Sequence, residues 1–330
     1  MVQAGDFMLV LNREDMQKCM SLEECVEAME KAYKIFYSER YTMPNRPCIE
    51  NGENTLLYMP CFTDDCFGTK CLTLFPKNPS RNKPMIDGMM ILNDGDDGSI
   101  KALMHAGFLT ALRTGANTGV MLKNLAPKTA QTCGIVGAGV QGVFQTAFAC
   151  RIMGIKTVYV YDRKQKGIDE FKRKTENLLG EQLEFIQCTT VEKLIEKSDI
   201  IIAATTSNTP VFPDDEDIFK NKTVVAIGSY KPHCRECPDA LVKSADNIYV
   251  DLAFAKEESG DLFIPIKEEI ISENKIHQIS DVLYSPDYKN HIIGKTIFIK
   301  TVGMALFDVV CAREIYNKAI AENIGTHIDF

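Results

Sequence analysis

The six residues at 137–142, Gly-Ala-Gly-Val-Gln-Gly, constrain the fold of this chain more than any other stretch. The apolar run at 132–136 precedes them, and a segment with helical character follows. A strand, a glycine turn and a helix in this order are typical of the first crossover of a dinucleotide-binding unit. In such a unit Gly137 permits the tight turn, Gly139 lets the backbone approach a pyrophosphate, and Gly142 lets the helix pack against the strand. We therefore expect phosphates to bind at the N–H groups that begin this helix.

The segment after this helix indicates which dinucleotide is bound. A second apolar run, 157–161, ends in Asp162, near the spacing at which a carboxylate binds the ribose hydroxyls. Asp162 favours NAD, whose ribose has a free 2′-hydroxyl. Arg163 and Lys164 follow directly and could instead neutralise the 2′-phosphate of NADP, so NADP remains open.

Length and composition limit the class of protein. The 330 residues suggest about two domains, and the 45% of hydrophobic residues is ample for a core. The net charge of −8 argues against nucleic acid or an anionic membrane surface as a partner. No apolar run approaches the ~20 residues of a membrane span, and the N-terminus lacks the pattern of a signal peptide. Twelve cysteines in such a chain indicate reduced thiols and a cytoplasmic protein.

The order of the predicted elements indicates an α/β protein with two domains. Strands and helices alternate after the glycine turn, which predicts a Rossmann-type parallel sheet domain at 126–302. Residues 1–125, with short strands and a hairpin around the turn at 93–98, predict an α+β domain. An amphipathic helix at 301–322 follows the nucleotide domain, so we assign 303–330 to the first domain. The predicted elements are strands at 8–11, 56–59, 68–75, 89–92, 100–104, 132–136, 157–161, 183–186, 200–203, 223–227 and 247–250, and helices at 22–37, 109–125, 141–153, 168–179 and 301–322.

Three basic residues of the first domain stand in unusual settings. Arg46 lies between prolines, Lys70 interrupts an apolar strand, and Arg113 lies on a mainly apolar helix. Lysine and arginine are rarely buried without a partner. The sequence places no carboxylate beside them, so we expect the three cations to bind an anion, most simply a substrate carboxylate. Internal ion pairing or snorkelling to the surface remains the alternative.

Two segments resemble metal sites, and neither has the required pattern. The acidic turn at 93–98 lacks the ligand spacing and the closing glutamate of a calcium loop. The segment from His233 to Cys237 offers one C-x-x-C without the second pair of a structural zinc site. We therefore expect no metal. His105 precedes the Arg113 region, and we expect it to be packed rather than to line the site.

Several motifs together make the chain resemble the ornithine cyclodeaminase/mu-crystallin family over about residues 7–320. The most specific is Leu-Thr-Ala-Leu-Arg-Thr-Gly-Ala at 109–116, just before the glycine turn. The other matches are Gly68 and Lys70, Asn78-Pro79, Pro84, Gly88, the Glu-Ser-Gly-Asp string at 258–261, the Lys-Thr-Val-Gly-Met-Ala string at 300–305, and Asp308.

The resemblance implies how the work is divided between residues. Arg46 and Arg113 would hold the carboxylate of the substrate. Lys70 would lie near the reacting amino or imino nitrogen as an acid/base group. Burial near two arginines should lower the pKa of Lys70, which suits proton transfer near neutrality. The resemblance also implies a homodimer built through the first domain.

One position departs from the cyclodeaminases of this family. Tyr230, in Gly-Ser-Tyr-Lys-Pro at 228–232, stands where those enzymes have a catalytic aspartate. A phenol can donate a hydrogen bond, but it is not a carboxylate near neutral pH. Hydride transfer at the α-carbon does not need the aspartate, whereas expulsion of ammonia does. The resemblance therefore implies reduction of a cyclic ketimine such as pyrroline-2-carboxylate to L-proline, ahead of three alternatives: ornithine cyclodeamination, a non-cyclising amino-acid or opine-type dehydrogenase, and a mu-crystallin-like binding protein.

The expected site residues form three groups. Lys70 and Tyr230 are the expected catalytic residues, and Arg46, Lys70 and Arg113 are expected to bind the substrate. The residues expected to bind the cofactor are Arg113, Thr114, Gly137, Ala138, Gly139, Val140, Gln141, Gly142, Asp162, Arg163, Thr205, Ser229, Thr301 and Gly303.

Overall fold

The computed structural model describes residues 7–165, 167–286 and 295–329, which form two compact units. The first unit comprises Met1–Arg113 and Met304–Phe330, and the second comprises Thr114–Gly303. The strands are β1 (Met8–Leu11), β2 (Cys48–Asn51), β3 (Asn54–Phe62), β4 (Cys66–Leu74), β5 (Ile86–Asp94), β6 (Ile100–His105), β7 (Thr132–Val136), β8 (Thr157–Tyr161), β9 (Glu184–Gln187), β10 (Ile200–Ala203), β11 (Thr223–Ala226), β12 (Asn247–Val250), β13 (Ile276–Gln278), β14 (Ile297–Lys300) and β15 (Thr326–Ile328). The α-helices are α1 (Arg13–Cys19), α2 (Leu22–Tyr37), α3 (Ala106–Leu125), α4 (Val140–Met153), α5 (Ile168–Leu179), α6 (Val191–Lys197), α7 (Asp239–Ser244), α8 (Ala255–Glu258), α9 (Gly260–Lys267), α10 (Ile279–Tyr284) and α11 (Ala305–Glu322).

The first unit is built on a seven-stranded sheet with the order β15-β1-β6-β5-β4-β3-β2. Strands β2 to β6 pair antiparallel, and β1 pairs parallel with β6. Helix α11 packs against β3, β4 and β5 and against helices α1 and α2. Alternate residues of β4 are buried, as the pleat of a strand covered on one face requires. Lys70 is one of these buried residues.

The second unit is an eight-stranded parallel sheet with the order β13-β12-β14-β11-β10-β7-β8-β9. The chain runs outward from β7 through β8 to β9, and then resumes on the other side of β7 at β10. This reversal makes the carboxyl end of β7 the switch point at which open α/β sheets bind ligands. The glycine turn at 137–142 follows β7 directly. The parallel, doubly wound sheet that the sequence predicts is therefore confirmed.

Helix α3 runs across the division between the units, which falls at 113/114 rather than at the predicted 125/126. The second division falls at 303/304, one residue from the predicted 302/303. Helix α11 begins at Ala305, so the prediction of a helix from residue 301 was wrong. The carboxylate of Asp251 accepts the N–H groups of Val302 and Gly303, and Gly303 has a φ of +73°, which no helix can include.

Three peripheral strands, β2, β13 and β15, and the central strand β14 do not appear among the predicted elements. All four have only three or four residues, as have several strands that were predicted, so length alone does not account for the omission. Within the described ranges no helix is both long enough and apolar enough to cross a membrane.

Candidate active site

Lys70 lies on the buried face of β4 and is completely enclosed by protein. Its Nζ donates to both carboxylate oxygens of Asp308, at 2.8 Å each. Asp308 lies in the first turn of α11 and is also completely buried. The packing of α11 on β4 thus brings a strand lysine and a helix carboxylate together from distant parts of the sequence.

Arg113 contacts the same ion pair. It is the last residue of α3 that belongs to the first unit. Its Nε donates to Oδ1 of Asp308 at 3.0 Å, and 5% of the residue is exposed. A guanidinium carries further N–H donors on its two Nη atoms, and such a group is suited to bind a carboxylate. The sequence predicted cations with no carboxylate beside them, and for Lys70 and Arg113 this was wrong. Two cations still share one carboxylate, which leaves one positive charge in excess.

Arg46 lies half-buried in the loop between α2 and β2. Its charge acts on Lys70 and lowers the pKa of that amine, as does the charge of Arg113. The structure therefore gathers the three cations that the sequence singled out around one point of the first unit.

The ionisation of Lys70 is set mainly by burial. Burial lowers the pKa of its ammonium from 10.5 to about 7; Asp308 raises this pKa, and the neighbouring guanidiniums lower it. Lys70 therefore exists in both protonation states near neutral pH, as a group that gives and takes a proton must.

Asp308 is the functional residue whose contacts sequence reasoning missed. It was noted only as a family match, although it lies in a run of α11 where its neighbours are fully buried and apolar. A carboxylate on such a face needs a cationic partner, and this rule would have pointed to a buried lysine or arginine.

The glycines of the 137–142 turn serve different purposes. Gly137 has a φ of +104°, and a Cβ on Gly142 would lie 2.1 Å from the carbonyl oxygen of Gly137. Both are therefore required by the protein itself. A Cβ on Gly139 would meet no atom within 4 Å, so the chain leaves open space there. Helix α4 begins at Val140 with no side-chain cap, and its first N–H groups suit a phosphate.

Asp162 is held against this turn. Its Oδ2 accepts the N–H of Ala138 at 3.0 Å, and its Oδ1 accepts the N–H of Lys164 at 2.9 Å. Arg163 and Lys164 are exposed beside it. Gln141, the second residue of α4, has a buried Oε1 for which the described part of the chain provides no hydrogen-bond partner. The open space at Gly139, the uncapped helix and the placed carboxylate all fit a dinucleotide.

A cavity of about 340 Å³ opens at the carboxyl ends of β8 and β9. Its walls come from the end of β8, the start of α6 and the loop after β10. The lining residues include Tyr161, Thr190, Val191, Val211 and Phe212.

Buried carboxylates fix the ends of β10 and β11. One oxygen of Glu236 accepts the N–H and the hydroxyl of Thr205, at 2.7 and 2.8 Å, and the other accepts the N–H of Gly228. Asp261 accepts the N–H of Glu236 and pairs with Lys300 at 3.0 Å. This ionic cluster was not predicted, because its members come from three separate segments.

The remaining predicted residues have framework contacts in the second unit. Ser229 is 1% exposed, and its hydroxyl donates to the carbonyl of Cys234. Thr301 donates to Asp251 and accepts from Asn117, so its hydroxyl supports the backbone around Gly303. Tyr230 is half-buried in the loop after β11, and Thr114 is the first residue of the second unit.

His105 and Cys234 have hydrogen-bond partners within the protein. Nδ1 of His105 accepts the N–H of Phe108 at 3.0 Å, at the start of α3. Cys234 donates to Asn208, and Cys237 is buried. All twelve cysteines are free thiols, and the described residues include no cluster of three or more metal-ligating side chains.

The chain is similar to known proteins in both its sequence and its fold. The pattern that defines the ornithine cyclodeaminase/mu-crystallin family matches residues 7–323. A Δ1-pyrroline-2-carboxylate reductase of Bacillus thuringiensis subsp. konkukian is 32% identical over 98% of this chain and 100% of that protein. An alanine dehydrogenase of Archaeoglobus fulgidus is 29% identical over 98% of both chains.

Two solved structures resemble this one closely. The Δ1-pyrroline-2-carboxylate reductase of Thermococcus litoralis, in complex with NADH and L-proline, superposes with a TM-score of 0.89 at 32% identity, covering 97% of this chain and 100% of that one. An archaeal alanine dehydrogenase dimer with bound NAD gives a TM-score of 0.87 at 26% identity, covering 98% and 99%. The predicted resemblance is confirmed: the chain belongs to the ornithine cyclodeaminase/mu-crystallin family.

Proposed function

We propose that this protein is an NAD-dependent reductase of small cyclic ketimines that converts Δ1-pyrroline-2-carboxylate to L-proline. The observation that carries the proposal is the buried Lys70, with a pKa of about 7, in a cluster with excess positive charge. This arrangement suits a substrate with a carboxylate and a basic imine nitrogen on adjacent atoms. The reductases from Bacillus and Thermococcus support it, because each matches nearly the whole chain.

Each basic residue has one part in the proposed reaction. Arg46 and Arg113 bind the substrate carboxylate and so orient the ring. Lys70 gives a proton to the imine nitrogen, which makes the α-carbon electrophilic, and then regains a proton from solvent. The nicotinamide, when bound, supplies the hydride that reduces this carbon. Tyr230 is proposed as a hydrogen-bond donor near the substrate.

NAD is the proposed cofactor, because Asp162 is fixed beside the glycine turn where ribose hydroxyls would bind. The proposed phosphate contacts are the backbone of 137–142. Thr205, Ser229, Thr301 and Gly303 are proposed to shape the nicotinamide end through their backbone, since the three hydroxyl side chains have protein partners and Gly303 has no side chain. The free thiols favour the cytoplasm as the place of action.

Two other reactions remain as alternatives. The alanine dehydrogenase relative favours oxidative deamination of an open-chain amino acid, which would use Lys70 in the same way. Cyclodeamination of L-ornithine would have to proceed without a carboxylate at Tyr230. A protein that only binds a small ligand would not need a buried lysine that titrates near neutrality.

The test is turnover by the purified protein. We expect NADH oxidation with Δ1-pyrroline-2-carboxylate, formation of L-proline, and no release of ammonia from L-ornithine with NAD. Lys70→Met should lower kcat by about 10²- to 10⁴-fold and leave NADH binding intact. Steady ammonia release from L-ornithine would replace our proposal by cyclodeamination. A faster reaction with pyruvate and ammonia would favour the dehydrogenase.

A further inference from the structure

We propose that Asp308 is a positioning residue, which holds the ammonium group of Lys70 and the Nε–H of Arg113 so that the N–H of Lys70 directed away from Asp308 is presented to the substrate. The inference rests on the proposed reaction, to which it adds a residue that touches neither substrate nor cofactor. It is carried by the three hydrogen bonds that converge on one buried carboxylate.

The count of hydrogen bonds leads to this assignment. An ammonium group has three N–H donors. Both oxygens of Asp308 lie 2.8 Å from Nζ of Lys70, so the carboxylate occupies one side of the ammonium group. The N–H donors that point away from Asp308 are the ones that can reach an imine nitrogen, and the carboxylate fixes their direction. Without Asp308, the lysine side chain would lose this orientation. Its flexible four-carbon chain would then adopt several rotamers instead of one.

Asp308 also contacts both the proposed proton donor, Lys70, and the proposed carboxylate-binding residue, Arg113. Its Oδ1 accepts both from Lys70 and from Nε of Arg113, so the amine and the guanidinium share one oxygen. A shift of Asp308 would move both groups together. The distance between the proton donor and the carboxylate grip is thus set by one side chain on α11.

The charged groups around Lys70 determine how removal of Asp308 would change the pKa of this lysine. The groups that face this cluster are Arg113 from α3, Arg46 from the loop before β2, Cys311 from α11 and Cys61 from β3. Burial raises the pKa of each thiol to about 12, so both stay neutral in the accessible range. Among these charged groups Asp308 is then the anion that favours the charged form of Lys70, and its removal leaves two guanidiniums that oppose it.

Asp308→Asn tests the proposal through the pH profile. Reduction requires protonated Lys70, so the rate falls as pH rises through the pKa of this amine. The loss of an opposite charge should move this fall to lower pH by about 1 to 3 pH units. Titration of ¹³Cε-labelled lysines, with the Lys70 signal identified from Lys70→Met, should show the same shift without any turnover.

Asp65→Asn is the matched control. Asp65 pairs with Arg313 of α11 at 2.8 Å in the same unit, with most of its side chain exposed, and does not contact Lys70. This variant should keep the wild-type profile. An Asp308→Asn protein that loses activity but keeps the wild-type pH dependence and the wild-type Lys70 titration would overturn the proposal.

A second variant covers a failure of Asp308→Asn to fold, which NADH binding and the thermal midpoint would reveal. Asp308→Glu keeps the charge but displaces the carboxylate by one methylene. We expect a lower kcat with an almost unchanged pH dependence; wild-type kcat would overturn the positioning role. If the wild type reduces no ketimine, the proposed function fails, whereas the lysine titration still decides the role of Asp308.

Discussion

At the scale of single residues, the protonation of Lys70 governs the expected pH dependence. Its pKa of about 7 in the folded protein predicts opposite profiles for the two directions of the reaction. Reduction needs the ammonium form and should fall as pH rises through about 7. Oxidation of L-proline needs the free amine and should rise over the same range. Measurement of kcat/KM against pH in both directions checks this.

Lys70→Arg provides the control for that profile, because a guanidinium stays protonated throughout. The variant should lose the limb near neutrality, along with most of its rate. A wild-type limb near 10.5, the ordinary value for lysine, would contradict the effect of burial.

The glycines of the turn also allow a prediction about single residues. Gly139→Ala should fold normally, because its Cβ meets nothing within 4 Å, but should weaken NADH binding by about tenfold or more. Gly142→Ala should instead lower the free energy of unfolding by about 1 to 3 kcal/mol, since its Cβ would lie 2.1 Å from a carbonyl oxygen. Thermal midpoints and NADH titrations distinguish the two. Equal effects on stability would refute the idea that the space at Gly139 is kept for a ligand.

The positions of candidate site residues could be predicted where they depend on local sequence alone. Asp162 follows its strand and Gly137 its turn, so spacing alone located both. Asp308 lies 238 residues from Lys70, and no local pattern reports a contact over that separation. The sequence therefore predicted the cations of the site and missed the anion that orders two of them.

At the scale of elements, we expect the carboxyl ends of β7 and β8 to determine which dinucleotide is preferred. Asp162→Ser should cost NADH about 1.5 to 3 kcal/mol of binding free energy, because the acceptor for the ribose hydroxyls is lost. Binding of NADPH should improve, since the repulsion disappears while Arg163 and Lys164 remain exposed. The ratio of the two dissociation constants is the measurement.

The control for this change in charge is Asp169→Ser on α5, an exposed residue outside the turn. It should leave the ratio unaltered. If Asp162→Ser also left the ratio unaltered, the carboxylate would serve only to cap Ala138 and Lys164.

The elements themselves were predictable to different degrees. The capping box of α2, in which Ser21 and Glu24 bond each other's backbone, marks a helix start in the sequence and in the structure. Strand β14 has four residues, all buried, as have β10 and β11, which were predicted, so its burial alone does not explain why it was missed. Its position between β11 and β12 depends on tertiary pairing.

At the scale of the whole molecule, one face of the first sheet carries several exposed or partly exposed apolar side chains. Tyr58, Cys71, Met89 and His105 lie side by side across β3 to β6, on the face opposite to Lys70. Met89 is 44% exposed, and Phe62, on the same face, is 51% exposed and stacks on Phe67. Such a continuous patch is typical of an interface.

We propose that a second copy of the chain covers this face, as the dimeric state of the archaeal alanine dehydrogenase supports. A charge placed in the middle of a two-fold interface meets its own copy, and the repulsion adds to the cost of burial. Met89→Glu should therefore convert the dimer to a monomer, measured as a halving of the mass by light scattering. Ile320→Glu, a comparable exposed apolar residue on α11, should leave the mass unchanged. A wild-type monomer at micromolar concentration would remove the proposed interface, whereas a dimer that survives Met89→Glu would place the interface on another face of the protein.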